Sequence, residues 1–316
     1  MKIVYVTGCL GFIGSYVTRK CLEKGWMVYG IDKCTYAANT NLIEEFSKHP
    51  NFKFKKADIK ELDHLYDCDY VINTAAESHV ANSIVSSDKF LETNVMGTKN
   101  LLELIRSKQK NVGKRPIFLH FSTDEVYGDI VSGDHGEEDL LKPSNPYSAS
   151  KAAADMLVLA WARTYDIKYV IVRPANNYGI GQYPEKLIPL TVKNLNRGRK
   201  TCLHNGGEPY RCWLHADDTA EAIIKIVESG KLNEIYNISG HEECKNIDTV
   251  KNIIDCYGFN VDDLEEYVDF SYSRQGQDVR YSVSDKKLQS LGWYPKRKFN
   301  QEIKQIVMHY KNNFIW

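Results

Sequence analysis

Tyr147 and Lys151 stand four residues apart in the segment PYSASK, so on a helix they share one face. A free tyrosine ionises near pH 10 and is a poor base at neutral pH. An ammonium beside the ring favours the phenolate, and so does any further positive charge brought close to it. Lowering the phenol by about 3 units needs roughly 4 kcal/mol of differential stabilisation, the order that two close positive charges supply in a partly dry site. A second cluster, Thr123, Asp124 and Glu125 in FSTDEVYG, follows an apolar run. Two adjacent carboxyl groups at a strand's end can be driven apart in pKa, one kept as acid and one as base. The third signal is TGCLGFIG at 7–14, with Gly8, Gly11 and Gly14 between an apolar run and an amphipathic one. Glycines there give a tight turn, close backbone approach to a pyrophosphate, and a helix N-terminus aimed at phosphate. The spacing is G-x-x-G-x-x-G. Asp32 follows 18 residues beyond Gly14, where a carboxylate bonds ribose hydroxyls and repels a 2′-phosphate. The cofactor is therefore expected to be NAD, with Lys33 softening the discrimination against NADP, and its positive nicotinamide is the second charge that would favour a Tyr147 phenolate.

These groups need a scaffold that alternates strands and helices. Apolar runs at 2–7, 26–31, 52–57, 69–74, 116–122 and 168–173 read as strands. Helical periodicity lies between them at 13–24, 87–107 and 147–165. Such alternation predicts a doubly wound, Rossmann-type α/β domain with a parallel sheet covered on both faces. It is expected to span 1–177, with a helix and strand at 217–228 and 234–238 returning to the sheet from a segment at about 213–240. The turn-rich remainder, 178–316, is expected to form mainly a smaller, discontinuous substrate domain. With 43% hydrophobic and 26% charged residues the chain is globular in composition. Lys plus Arg equals Asp plus Glu at 41 each, so no electrostatic case exists for nucleic acid or a membrane surface as partner. The longest apolar stretch, 156–162, is far short of the roughly 20 residues a spanning helix needs. No export signal is visible, and no two of the 8 cysteines have C-x-x-C spacing. A cytoplasmic protein with reduced thiols and no metal centre is expected.

Together the glycine turn, Tyr147-x-x-x-Lys151 and the strand-end triplet resemble the extended short-chain dehydrogenase/reductase superfamily. Within it the chain is similar to the nucleotide-sugar 4,6-dehydratases that act on dTDP-glucose or UDP-glucose. The supporting motifs run nearly end to end: DKCTYAAN (32–39), AAESHV (75–80), ETNVMGT (92–98), STDEVYGD (122–129), NPYSASKAAAD (145–155), NNYGIGQYPEKLIPL (176–190), YNISGHEECKNI (236–247), RQGQDVRY (274–281) and LGWYP (291–295). The resemblance implies that Tyr147 takes the proton of the sugar 4-hydroxyl as hydride leaves carbon 4, aided by Thr123 and Lys151. Glu125 would then remove the carbon-5 hydrogen, Asp124 would protonate the departing 6-hydroxyl, and hydride would return to carbon 6. It also implies cofactor contacts from Phe12, Ile13, Asp32, Lys33, Thr35, Asp58, Ile59, Ala75, Ala76, Thr93 and Asn177, and substrate contacts from Ser78, Asn176, Lys186, Leu187, His204, Arg211, Asn246 and Arg274. The two arginines suit a diphosphate through paired hydrogen bonds. Cys9, Ala81, Asn82, Cys212, Ser273 and Gln275 depart from the family pattern and leave the catalytic set intact. His204 and Arg173 resemble plant and animal relatives and lean the substrate toward UDP-glucose. A 4-epimerase or decarboxylase on the same fold is the alternative enzyme, and a silent NAD-binding regulator the alternative of another class; the presence of both Asp124 and Glu125 argues against the first two. A homodimer is expected through the 87–107 and 147–165 helices, with Phe90, Leu91, Val95, Leu101 and Leu102 on one and Met156, Leu157, Leu159 and Trp161 on the other.

Overall fold

The apolar runs become strands because their β-branched and aromatic side chains fit a pleated surface buried on both sides. The computed structural model describes residues 1–108, 115–273, 276 and 278–313. Its strands are Ile3–Thr7 (β1), Met27–Asp32 (β2), Phe52–Lys56 (β3), Tyr70–Asn73 (β4), Ile117–Phe121 (β5), Tyr169–Pro174 (β6), Asn176–Tyr178 (β7), Thr201–Cys202 (β8), Tyr210–His215 (β9), Glu234–Ile238 (β10), Glu243–Lys245 (β11) and Val268–Asp269 (β12). Seven form one parallel sheet in the order β3-β2-β1-β4-β5-β6-β10, so the expected return of 234–238 to the sheet is found beside β6. The strand order reverses between β1 and β4, and ligands of open α/β sheets bind outside the strand ends at such a point.

The helices are Phe12–Glu23 (α1), Asn41–Ser47 (α2), Val80–Val85 (α3), Asp88–Phe90 (α4), Thr98–Lys108 (α5), Pro146–Tyr165 (α6), Leu187–Asn196 (α7), Ala216–Ser229 (α8), Asn246–Tyr257 (α9), Leu264–Tyr267 (α10), Lys286–Gln289 (α11) and Phe299–Asn312 (α12). Alternation along β1 sends Val4 and Val6 to one face, into a core closed by α1 and α8, and Tyr5 to the other, where Leu101, Leu102, Ile105 and Val158 of α5 and α6 pack. A separate core joins α7, α9 and α12 through Ile188, Val192, Val250, Ile254, Ile303 and Val307. It abuts the small sheet β11-β9-β7 at Trp213 and Tyr178.

Two expectations change. The helix read at 87–107 is not uniform: a π-helical turn over Leu91–Gly97 separates α4 from α5. Its extra residue places Asn94 inside, where its amide bonds the Glu77 backbone at both ends and the Ser150 hydroxyl at 2.9 Å. Of the apolar residues assigned to a dimer face, Phe90, Leu101 and Leu102 are core of the single chain. Leu91 and Met156 are 48% exposed each and remain on the surface, as does Met96, which the sequence did not assign to that face.

Candidate active site

The glycine turn is built by geometry that side chains would block. Gly8 has φ +69°, and a Cβ on Gly14 would sit 2.0 Å from the Gly8 carbonyl oxygen. Helix α1 starts directly after it, and its N-cap, Gly11, offers no side-chain cap, which leaves the first-turn N–H groups for an anion. Asp32 ends β2, and its carboxylate accepts from the Leu10 and Cys34 amides at 3.0 and 2.7 Å. That fixes the carboxylate while leaving it lone pairs for ribose hydroxyls. Lys33, in the wall of the same cavity, pairs with Asp58 at 2.7 Å, so its charge is already matched. These features fit a dinucleotide. The same cavity is lined by all the expected cofactor contacts: Gly8, Gly11, Phe12, Ile13, Gly14, Asp32, Lys33, Thr35, Asp58, Ile59, Ala75, Ala76, Thr93, Tyr147, Lys151 and Asn177.

The catalytic candidates converge on the floor of that cavity. Asn145 and Ser148 form a reciprocal capping box with Pro146 at the first helical position, so α6 begins where the sequence places Tyr147 in its first turn. Thr123 ends the β5 segment and caps a 3₁₀ turn, Asp124–Tyr127, accepting the Glu125 amide at 3.4 Å and donating to Asp124 at 3.2 Å. Both carboxyl groups are thereby buried beside the phenol. Burial, reinforced by the adjacent Glu125 charge, pushes Asp124 up to about 7. One Asp124 oxygen has no hydrogen-bond partner among the described residues, as an acid poised for a substrate atom would have. Burial pushes the phenol above its ordinary range, Glu125 and Asp124 push the same way, and only a hydrogen bond from Thr123 opposes them. Lys151 instead donates to the Phe121 carbonyl, and burial lowers its ammonium to about 8.

A second cavity opens beside the first and shares Ser78, Glu125, Asn176, Asn177, Gln182, Glu185 and Lys186 with it. Leu187, His204, Arg211 and Asn246 line it, as expected of substrate contacts, while Arg274 lies outside the described residues. Arg211 is buried and stacks on the Tyr281 ring at 4.6 Å. The Tyr281 hydroxyl reaches Glu125 at 3.5 Å and also bonds Asp278. Sequence reasoning missed Tyr281 and Glu185, although both sit inside motifs it quoted. Glu185, in the wall of both cavities, accepts from the exposed Tyr36 hydroxyl at 3.0 Å. Arg173 lines neither cavity, being buried against Asp155 behind the sheet's end.

Residues 5–306 match the family model described as GDP-mannose 4,6 dehydratase. A dTDP-glucose 4,6-dehydratase of Neisseria meningitidis serogroup B is 39% identical, the alignment covering 100% of this chain and 95% of that protein. An Escherichia coli protein of the same name is 40% identical, covering 100% and 94%. Among solved structures, the dTDP-glucose 4,6-dehydratase of Streptomyces venezuelae with NAD bound superposes with a TM-score of 0.90 at 35% identity, covering 98% of this chain and 97% of that one. A UDP-glucuronic acid 4-epimerase of Bacillus cereus with NAD superposes with the same TM-score, 0.90, at 25% identity, covering 99% and 100%.

Proposed function

The chain belongs to the GDP-mannose 4,6 dehydratase family of extended short-chain dehydrogenases/reductases, and from that membership we propose an NAD-dependent 4,6-dehydratase acting on a pyrimidine nucleoside diphosphate glucose. The observation that carries the reading is Asp124 beside Glu125 at the end of β5, with burial holding Asp124 protonated up to about pH 7. Removing water across carbons 5 and 6 requires one base and one acid on neighbouring positions, and that pair supplies both. A simple dehydrogenase has no use for it.

NAD, when bound, takes hydride from carbon 4 of the sugar, returns it to carbon 6, and brings a positive ring that favours the Tyr147 phenolate. Tyr147 accepts the proton of the 4-hydroxyl, with Thr123 bonding the same oxygen. The 4-ketone acidifies the hydrogen on carbon 5, which Glu125 removes. Tyr281, in contact with Glu125, orients that carboxylate. Asp124 gives its proton to the departing 6-hydroxyl, which leaves as water; as hydride adds at carbon 6, Glu125 returns its proton to carbon 5 to give the 4-keto-6-deoxy sugar nucleotide, and the proton held by Tyr147 makes good the one Asp124 lost. Arg211, rigid on the Tyr281 ring, suits the diphosphate. In this reading 1–177 with the β10 return holds the cofactor, and 178–316 mainly holds the nucleotide.

The identity of the pyrimidine rests on few groups. The named relatives at 39–40% identity favour dTDP-glucose. His204 in the wall of the second cavity is the one residue that favours UDP-glucose, because Arg173 is not in that wall. Incubation with each nucleotide sugar, followed by alkali, tests both levels: the absorbance of a 4-keto-6-deoxy product is expected with one or both, and none with either would reject the reading. A homodimer and a cytoplasmic setting complete the proposal.

A further inference from the structure

The turn that carries both dehydrating carboxyl groups is loosely held from within. Its backbone bonds, from Val126 to Thr123 and from Gly128 to Glu125, are 3.4 and 3.3 Å long, and the Glu125 amide reaches the Thr123 hydroxyl at 3.4 Å. All three exceed the usual range of roughly 2.7–3.2 Å. Carboxyl groups kept from water also favour a turn that lets them out. The Lys142 amide bonds the Val126 carbonyl from outside at 3.0 Å, and a buried side chain of β6 does the rest. Arg173 Nε and Nη2 each donate to one Asp155 oxygen at 3.0 Å, and the same oxygen accepts from the Ser122 hydroxyl, also at 3.0 Å. Arg173 Nη1 donates to the Tyr127 hydroxyl at 2.7 Å and to the Glu137 carbonyl at 3.3 Å. The Tyr127 hydroxyl in turn donates to Asn237 of β10 at 2.9 Å. Ser122 stands just before Thr123, and Tyr127 ends the turn, so one guanidinium ties together the two residues that bracket Thr123, Asp124 and Glu125.

We propose that Arg173 is a positioning residue for dehydration, clamping the Asp124–Tyr127 turn at both flanks so that its carboxyl groups meet the sugar in one fixed geometry. This rests on the function proposed above, in which Asp124 is the acid and Glu125 the base. A guanidinium suits the task because its donors diverge in one rigid plane, whereas an ammonium on a flexible stem could serve one flank or the other. Arg173, Asp155, Tyr127 and Asn237 are each at most 2% exposed, so water does not replace a lost partner. The two flanks have separable effects. Tyr147 stands on α6, whose start is held by its own capping box, and Thr123 lies next to the Ser122 flank. Asp124 and Glu125 lie between that flank and Tyr127. Releasing the Tyr127 flank alone therefore moves the carboxyl groups and spares the groups of the first step.

The test is stopped-flow absorbance at 340 nm in holoenzyme carrying Tyr127→Phe, which keeps the ring and removes the hydroxyl that Arg173 holds. With dTDP-glucose or UDP-glucose, the band of enzyme-bound NADH should form within about threefold of the wild-type rate. It should disappear at least about tenfold more slowly, since a misplacement of about 1 Å at a reacting group costs up to about 100-fold. Equal slowing of both phases, slowing of formation alone, or no change would overturn the proposal and leave Arg173 a structural residue. Arg173→Met with Asp155→Asn removes both buried charges together and frees both flanks; it serves if Tyr127→Phe folds poorly, and disappearance of the band should still be slowed by the larger factor. Amide hydrogen exchange without substrate, read by mass spectrometry, reports the clamp directly. Residues 123–128 should exchange at least about fivefold faster in Tyr127→Phe, with α6 unchanged. Unmoved exchange in the turn would overturn the proposal whether or not the enzyme turns over. A wild type that forms no such band with either nucleotide sugar, while exchange in the turn of the variant still rises, would reject the proposed function and leave the clamp standing.

Discussion

Asp124 and Glu125 are neighbours in sequence and yet suited to opposite work, because Asp124 is sealed from water and sits against its neighbour's charge. Their separation is testable by halves. Glu125→Gln keeps the shape and removes the carbon-5 base, so the 340 nm band should appear on the enzyme while dehydration slows by about 10²–10⁴-fold. Tyr147→Phe should prevent the band itself. Stopped-flow absorbance follows both, and the reverse pattern would exchange the two roles. Asp124 also makes a stability prediction. Its folded-state pKa is raised above the unfolded value, so the stability it contributes is complete below about pH 4 and lost as pH rises through about 7. Asp124→Asn should therefore melt higher than wild type above pH 7, by at most about 4 kcal/mol for a shift of about 3 units, and equally near pH 3. Melting curves at the two pH values check it. At this scale the sequence was legible where a motif carries its own chemistry. A spacing of four gives Tyr147 and Lys151 a shared helix face but not the acceptor of the ammonium, which is the Phe121 carbonyl. Tyr281 was invisible as a partner of Glu125, since 156 residues separate them and only the closed fold joins them.

The elements that hold these groups have their own points of failure. The turn from β1 into α1 tolerates no side chain at Gly14, where a Cβ would meet backbone at 2.0 Å. Gly14→Ala should open the turn, and a protein that otherwise retains NAD on purification should lose it; acid release and assay of the cofactor measure this. The strands of the central sheet were legible because runs such as IVYVT and YVIN are apolar on both faces, as a covered parallel sheet demands. The start of α6 was legible too, since Asn-Pro-Tyr-Ser is a cap followed by a first-turn proline. The π-helical turn at Leu91–Gly97 was not. One inserted residue barely changes apolar periodicity over 20 residues, and what holds it is Asn94 bonding to residues 77 and 150, far away in sequence. Such turns are frequent at functional sites, and Thr93 within this one lines the cofactor cavity.

Across the whole molecule, the cofactor cavity and the second cavity meet at Glu125, Asn176, Asn177 and Lys186, so a substrate bridging them would put its sugar over the catalytic floor and its nucleotide toward α7 and α9. The outer faces of α4 to α6 expose Leu91, Met96 and Met156, an apolar strip that a second copy would cover in an isologous dimer. Sedimentation should give a species near twice 36.2 kDa at micromolar concentration, and Met156→Glu should shift it toward the single chain. A wild type that sediments only as the single chain would refute the dimer without touching the chemistry. The central claim is that hydride leaves carbon 4 and returns to carbon 6 of the same sugar within one site. Nucleoside diphosphate glucose carrying deuterium at carbon 4 tests it most directly, by mass spectrometry of the product formed without added NAD. A 4-keto-6-deoxy product that retains the deuterium at carbon 6 is expected. Deuterium recovered in NADH released to solution, or still on carbon 4 of an epimerised sugar, would contradict it.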